Sequence, residues 1–329
     1  MLQFLVKRLG FIAMNLVVVS LVAFVIIELP PGDYLTAYAA TLAASGDSVD
    51  EDQLNALSVR YGLDLPLHQR YVKWVSGVLR GDFGYSFAWN KPVSELLWER
   101  LGLTVAVTFS ALMITWIIGF LVGIYSATHQ YSMGDYTFTA ISFIGLGVPD
   151  FLIAMVLLWA GYKYFNANVG GLFSQQYQIA PWSWGKFVDM LKHLWVPLIV
   201  LGVGGSASMI RIMRANLLDE LSKPYVETAR AKGIAENKML LKYPVRLALN
   251  PFISTAGWAL PGLINGATII SVVLSLPTTG PLLLNALMVQ DMYLAASFVL
   301  VLSVLTIIGT LLSDIALAWL DPRIRLGAA

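Results

Sequence analysis

The amino-acid sequence predicts an all-α membrane protein with six transmembrane helices. Hydrophobic residues make up 57% of the 329-residue chain and charged residues only 12%, a composition too apolar for an ordinary soluble domain. A bilayer core needs roughly 20 apolar residues per helix, and several segments meet that requirement. Two long polar segments, 30–103 and 214–246, separate the apolar ones.

Six apolar segments satisfy the length requirement: 9–29, 104–127, 136–164, 194–213, 251–276 and 295–320. Residues 1–29 therefore hold a cytoplasmic N-terminus and the first span, and residues 104–329 a five-helix core. The first apolar run is longer than a usual signal-peptide core, so a retained span is favoured over a cleaved signal. Gly145, Gly147 and Pro149 interrupt the third span.

The segment 30–103 begins with a turn signal, Pro30-Pro-Gly-Asp33, and continues with an acidic cluster at Asp47, Asp50, Glu51 and Asp52. Amphipathic patches follow around 65–79 and 93–103. This segment is too long and too apolar at helical spacing for a plain linker. It predicts a folded extracytoplasmic loop between the first two spans.

Basic residues fix the expected orientation. With six spans, most of them fall on one side of the membrane: Lys7, Arg8, Arg211, Arg214, Lys223, Arg230, Lys232, Lys238, Lys242, Arg246, Arg323 and Arg325. Seven spans would break this agreement. Both termini and the 214–246 loop are therefore expected in the cytoplasm.

A short basic helix is predicted inside the 214–246 loop. Pro224 suits its first turn, Glu227 favours the positive N-terminal end, and Gly233 can adopt the left-handed stop. Ala229 and Ala231 would keep the helix thin enough for a partner to approach closely. From the residues alone, two interpretations stay open: a docking surface for a soluble protein, or a helix lying on anionic lipid.

Several chemistries are disfavoured. The chain has no cysteine, and its three histidines form no i, i+4 pair, so we expect no metal site. A phosphate-binding loop needs Gly-x-x-x-x-Gly-Lys-Ser/Thr, whereas Gly185-Lys186 is followed by Phe187. ATP hydrolysis by this chain is therefore not expected.

The pattern Glu227-x-Ala229-x-x-x-Gly233, with Pro251 downstream, resembles the cytoplasmic loop of ABC importer permeases that bears the "EAA" motif. Other matching pieces lie along the whole chain: Pro31-Gly-Asp33, Gly81-Asp-Phe-Gly84-Tyr-Ser86, Thr228-Ala-Arg-Ala-Lys-Gly233 and Leu320-Asp-Pro-Arg-Ile-Arg325. From end to end, the sequence is similar to the dipeptide/oligopeptide-type permease family.

This resemblance implies a type I ABC importer permease fold in the inner membrane and transport by alternating access. Its implied partners are two ATP-binding subunits that carry ATP and Mg, a second permease subunit that is a paralogue, and an extracytoplasmic solute-binding protein, with no nucleic acid. The residues implied to contact an ATP-binding subunit are Tyr225, Glu227, Thr228, Ala229, Arg230, Ala231, Lys232 and Gly233. Di- or oligopeptides are the implied solutes, and oligosaccharides or metal chelates are the alternatives.

Four polar residues are candidates for the translocation path. Asp150 lies in the third span, where a carboxylate costs about 3 kcal/mol unless it faces protein or water. Asn265, Thr268 and Ser271 fall at i, i+3 and i+6 of the fifth span, which borders the pathway in the similar family. The alternative for Asp150 is a carboxylate that caps or hydrogen-bonds a neighbouring helix, and for the other three it is hydrogen bonding between helices.

Some positions depart from the family pattern. Ser271 stands where glutamate is common, Thr278 replaces a glycine, and Tyr243-Pro244 replaces a frequent His-Ala pair. These changes leave the expected fold intact and leave the solute open. The competing class is a gradient-driven secondary transporter, which the basic loop and the absence of a recognisable inverted repeat disfavour.

Overall fold

The computed structural model describes residues 2–29, 34–45, 51–165 and 169–320. The side chains of residues 2–9, 37, 40–43, 45, 51, 53, 60–61, 256–263, 265, 313–314 and 316–320 are outside the description. The predicted turn at 30–33, the acids Asp47 and Asp50, and the terminal 321–325 motif therefore lie outside the described residues.

The described chain is mostly helical, as the sequence predicts. Its helices are α1 Leu2–Glu28, α2 Tyr34–Ser45, α3 Glu51–Tyr61, α4 Leu67–Val78, α5 Val93–Thr128, α6 Met133–Gly147, α7 Asp150–Phe165, α8 Trp184–His193, α9 Trp195–Leu221, α10 Pro224–Ala231, α11 Glu236–Lys242, α12 Pro244–Ser254, α13 Ala256–Val273, α14 Thr279–Met288 and α15 Met292–Leu320. A small antiparallel hairpin joins β1 (Tyr85–Ser86) to β2 (Lys91–Pro92).

Among the described residues, four helices are long and apolar enough to cross a membrane, or five spans if one bent pair counts as a span. The four stretches are Gly10–Glu28, Val93–Thr128, Trp195–Leu221 and Met292–Leu312, which contain or overlap four of the predicted spans. The predicted fifth span falls on the end of α12 and on α13, many of whose side chains are not described.

The third span is interrupted where Gly145, Gly147 and Pro149 predict it. It consists of α6 and α7, which are bent by 101° at a short break. Val148, the residue before Pro149, has extended backbone angles (φ −94°, ψ 122°), because the proline ring disfavours the α conformation at the preceding residue. Pro149 also lacks the N–H that would continue the helix.

One further boundary differs from expectation. The patch at 93–103 is continuous with the second span in a single 36-residue helix, α5. The helix α14 begins soon after Pro277, and Gly185 and Lys186 lie in the first turn of α8.

The chain divides into two compact units. The first comprises residues 1–104 and 278–307. Its core contains Phe24 of α1, Trp74 of α4 and Phe298 of α15, each at most 3% exposed. Glu28 pairs with Arg70 of α4 at 2.9 Å, and both side chains are largely buried. Described residues between 34 and 103 therefore share a core with α1 and α15.

The second unit comprises residues 105–277 and 308–329, and α9 lies at its centre, packed against α6, α7, α12 and α13. Small residues permit the close approach of its helices. A Cβ on Gly123 of α5 would lie 2.6 Å from Met213 Cβ, and one on Gly205 of α9 would lie 3.0 Å from Thr115 Cγ2. Gly123 and Gly205 thus permit close packing between α5 and α9.

Candidate functional site

The basic helix predicted from the sequence is α10, and proline sets its start. After α9 ends at Leu221, Lys223 adopts an extended conformation (φ −77°, ψ 146°) and Pro224 occupies the first helical position. The missing N–H of proline costs nothing there, and its fixed φ suits the first turn. The Thr228 hydroxyl donates to the Pro224 carbonyl oxygen at 2.9 Å.

Gly233 ends α10 in the left-handed conformation, with φ +71°. The N–H of Gly233 donates to the Arg230 carbonyl at 2.9 Å, and the N–H of Ile234 to the Ala229 carbonyl at 3.3 Å. These two bonds form a Schellman motif, and Ile234 packs on the small cluster of Val226, Ala229 and Met239. The predicted glycine stop is present.

The two faces of α10 have different surroundings. Val226 and Ala229 face inward and pack against Met239 of α11, with Ala229 only 7% exposed. Six residues are exposed on the outer side: Glu227, Thr228, Arg230, Ala231, Lys232 and Gly233. Tyr225 lies half-buried at the edge. The suggestion that Ala229 forms part of a surface open to a partner is therefore wrong, because its methyl group fills the contact with α11.

Two charge-assisted hydrogen bonds orient Arg230 and Tyr225 of this surface. Arg230 donates from Nη2 to Glu236 Oε1 at 2.7 Å, a bond that holds the pKa of the Glu236 carboxyl below its ordinary value. The Tyr225 hydroxyl donates to Glu220 Oε2 at 2.6 Å; burial, and then this bond, raise the pKa of Tyr225. Tyr225 therefore stays protonated and ties α10 to the end of α9.

An apolar cluster connects this region to the spans. Met209, Met213 and Leu217 of α9 pack against Val245, Ala248 and Phe252 of α12, together with Ala127 of α5. Because α11 leads directly into α12, the chain connects the α10–α11 pair to this close-packed cluster.

Asp150 begins α7 just beyond the bend. The position suits a carboxylate, because the N-terminal end of a helix carries partial positive charge. The side chain is half-buried beside α9, and a Cβ on Gly204 would lie 2.5 Å from Asp150 Oδ1. Within the described residues Asp150 makes no hydrogen bond or ion pair, and its role stays a prediction.

The fifth-span candidates lie on α13, which packs against α7 and α9. The Thr268 hydroxyl donates to the Ile264 carbonyl of its own helix at 3.0 Å, and Ser271 is only 2% exposed. The side chain of Asn265 lies outside the described residues. No hydrogen bond joins Asp150 to Thr268 or Ser271 in the described part of the chain, although their helices α7 and α13 pack together.

Comparisons with known proteins agree with this architecture. Residues 119–326 match the family described as binding-protein-dependent transport system inner membrane component, and residues 1–108 match its N-terminal companion. The chain belongs to this family. It is the membrane permease component of an ABC transport system, as the sequence predicted, and not itself an enzyme.

Individual relatives cover nearly the whole permease. The oligopeptide transport system permease protein AppB of Bacillus subtilis is 31% identical over 93% of this chain and 94% of its own. The dipeptide transport system permease proteins DppB of Lactococcus lactis and of Escherichia coli are 30% and 28% identical over 99% of this chain, covering 100% and 99% of their own lengths.

Sequence reasoning missed two buried carboxylates of the permease. Asp135 of α6 accepts hydrogen bonds from Nε and Nη2 of Arg214 in α9. Asp291, which is fully buried before α15, accepts the Ser86 hydroxyl at 2.6 Å and the Ala88 N–H at 3.1 Å, and its burial raises its pKa. The partners are 79 and 205 residues apart. No local pattern marks such pairs, although an acid three residues after a serine N-cap is a weak signal for Asp135.

Proposed function

We propose that this chain is a permease subunit of an ATP-driven importer for di- or oligopeptides, and that α10 is its coupling helix. The observation that carries the proposal is the construction of α10: one face is buried against α11, and the opposite face, with Arg230 and Lys232, is exposed. Peptides are proposed as the solutes because the relatives AppB and DppB are named as oligopeptide and dipeptide transport permeases.

The membrane arrangement has six spans: α1, α5, the bent pair α6–α7, α9, α13 and α15. Four of these and the bent pair have the length and apolarity of spans, and α13, with 18 residues, is about 27 Å long. This count puts both termini and the basic α9–α12 connection in the cytoplasm, in agreement with the distribution of basic residues. The folded segment 30–103 is then extracytoplasmic, where a solute-binding protein docks.

In this proposal, the contacts of α9 with its neighbouring helices carry the movement that drives transport. Two ATP-binding subunits, which hold ATP and Mg, close on binding nucleotide and displace the exposed face of α10. The Tyr225–Glu220 bond and the Met213–Phe252 cluster carry that displacement into α9 and α12. A second permease subunit, a paralogue, completes the pathway, which opens outward with nucleotide bound and inward after its release.

Asp150 is proposed to meet the amino group of the peptide. Three features support this role. The carboxylate lies at a helix break, it is half-buried, and it makes no ion pair in the described part of the protein. Asp150→Asn would weaken uptake of peptides with a free amino terminus by about ten-fold, the value of one charge-assisted hydrogen bond, and leave N-acetylated peptides unaffected. Equal uptake of both peptide classes by wild type and variant would remove Asp150 from the path.

The function is tested by reconstitution. The permease pair, its ATP-binding subunits and its binding protein are placed in proteoliposomes, and uptake of labelled dipeptide, oligosaccharide and nickel chelate is compared. Dipeptide uptake that needs ATP and the binding protein, and that persists when a protonophore removes the proton gradient, is expected. Uptake that follows the gradient without ATP would establish the secondary transporter instead, and uptake of another solute class would correct the substrate.

A further inference from the structure

An apolar groove follows α9 along its contacts with α5 and α6. It encloses about 380 Å³, within the range of small-molecule sites. Its walls are large apolar side chains of the three helices: Ile114, Ile118, Phe138, Ile141, Ile199 and Val203. Gly202 keeps part of it open, since a Cβ at that position would meet only Ile114 Cγ2, at 3.5 Å.

The groove continues into a second cavity of about 190 Å³ that ends in positive charge. Ser142, Ala207 and Ile210 line both cavities, and the second one also reaches Arg211 and Arg214. The combined space is therefore apolar over most of its length and cationic at one end.

The two arginines differ in whether the guanidinium group already has a partner. Arg214 directs its donors to Asp135, at 2.9 and 2.8 Å. Arg211 is exposed and makes no hydrogen bond or ion pair with any residue that the structure describes. A guanidinium group binds phosphate through two parallel hydrogen bonds, so Arg211 offers a site for a phosphate group.

The dimensions match a lipid leaflet. From Arg211 to Ile199 the helix rises about 18 Å, close to half of a bilayer core of about 30 Å. A basic residue at the end of an apolar groove between transmembrane helices has the chemistry that binds an anionic lipid headgroup.

We propose that the groove between α5, α6 and α9 binds one anionic phospholipid, with its phosphate on Arg211 and an acyl chain along Ile199 and Val203. The lipid occupies the space between α6 and α9, near the bend between α6 and α7. The proposal does not depend on the transported solute. The competing occupant, a second permease chain covering the same groove, is an outcome of the test.

Native mass spectrometry of the complete transporter tests the site. The complex is incubated in mild detergent with equal amounts of phosphatidylglycerol and phosphatidylcholine, and bound lipids are counted. Wild type is expected to retain phosphatidylglycerol preferentially. Arg211→Gln lowers that preference about five-fold, the factor for roughly 1 kcal/mol per basic residue, whereas Arg211→Lys keeps most of it. Lys238→Gln, at an exposed position lining neither cavity, leaves it unchanged.

Two results separate groove binding from surface charge and from a protein interface. Gly202→Leu fills the groove and is expected to reduce retention of both lipids. A photo-reactive residue at Ile199, which is 42% exposed, is expected to give an adduct with the mass of a phospholipid in native membranes. An unchanged lipid preference in Arg211→Gln, or an Ile199 adduct with a second permease chain and none with lipid, overturns the proposal.

Discussion

Arg214 donates from Nε and Nη2 to the two carboxylate oxygens of Asp135, at 2.9 and 2.8 Å. Asp135 also accepts the N–H of Tyr131 at 3.0 Å, and its own N–H donates to Ser132, the N-cap of α6. The buried carboxylate is therefore satisfied by three donors. This contact joins the beginning of α6 to the part of α9 that leads toward α10.

Loss of the Asp135 charge is expected to destabilise the permease. Asp135→Asn leaves Arg214 without its partner in a partly buried position, at a cost of about 2–3 kcal/mol, below the 3–5 kcal/mol of fully buried pairs because Arg214 is 28% exposed. Thermal unfolding of the purified complex measures the effect. Asp219→Asn, which breaks an exposed pair with Lys223, is the control and is expected to have almost no effect. Equal losses in both variants would contradict this account.

Gly233 is expected to tolerate asparagine but not valine. Its φ of +71° costs a branched residue about 1–2 kcal/mol or more, whereas asparagine visits this region readily. Gly233→Val would release the two Schellman bonds and move Ile234 out of its cluster, so ATP-driven uptake falls at least five-fold. Gly233→Asn keeps more than half of wild-type uptake. Similar uptake by the two variants would show that the turn does not matter for coupling.

Gly204 is required for the position of Asp150. A methyl group at Gly204 would lie 2.5 Å from Asp150 Oδ1, so Gly204→Ala must displace the carboxylate or separate α7 from α9. Uptake is expected to fall by about ten-fold. Gly147→Ala is the matched control, because no atom lies within 4 Å of a Cβ there. Loss of uptake in the control as great as in Gly204→Ala would indicate a general intolerance of the bend.

Reversal of the charge at Arg230 distinguishes an effect on docking of α10 from an effect on folding. Arg230→Glu breaks an exposed pair with Glu236, and such pairs add little to stability, so the unfolding temperature should not change. If α10 docks on an ATP-binding subunit, ATP-driven uptake falls more than ten-fold. Lys91→Glu breaks a comparably exposed pair with Glu95 in the first unit and is expected to leave coupling intact. Intact uptake in Arg230→Glu would remove this side chain from the docking surface.

The sequence predicted the features that depend on neighbouring residues. Pro224 and Gly233 define the two ends of α10 by their own backbone preferences, and the apolar stretches of α1, α5, α9 and α15 follow from length and composition. The Gly145–Pro149 interruption was visible as well. Its 101° bend was not, since the angle depends on how α6 and α7 each pack against α9.

Features that depend on distant contacts could not be predicted. Ala229 and Ala231 look alike in the sequence, and only the position of Met239 decides that Ala229 faces inward. Asp135 and Arg214 become partners because α6 and α9 lie side by side. The same holds for the path candidates. Thr268 and Ser271 share a helix with Asn265, but their distance from Asp150 depends on tertiary packing.

Cysteine cross-linking in native membranes tests the coupling-helix assignment most directly, and the chain contains no native cysteine that would interfere. Single cysteines at the exposed Thr228 and Ala231, with the buried Ala229 as control, are treated with a short bifunctional reagent, and adducts are identified by mass spectrometry. Adducts of Thr228→Cys and Ala231→Cys with an ATP-binding subunit, and none from Ala229→Cys, are the predicted result. No adduct from either exposed position, in a complex that still hydrolyses ATP and transports, would contradict it.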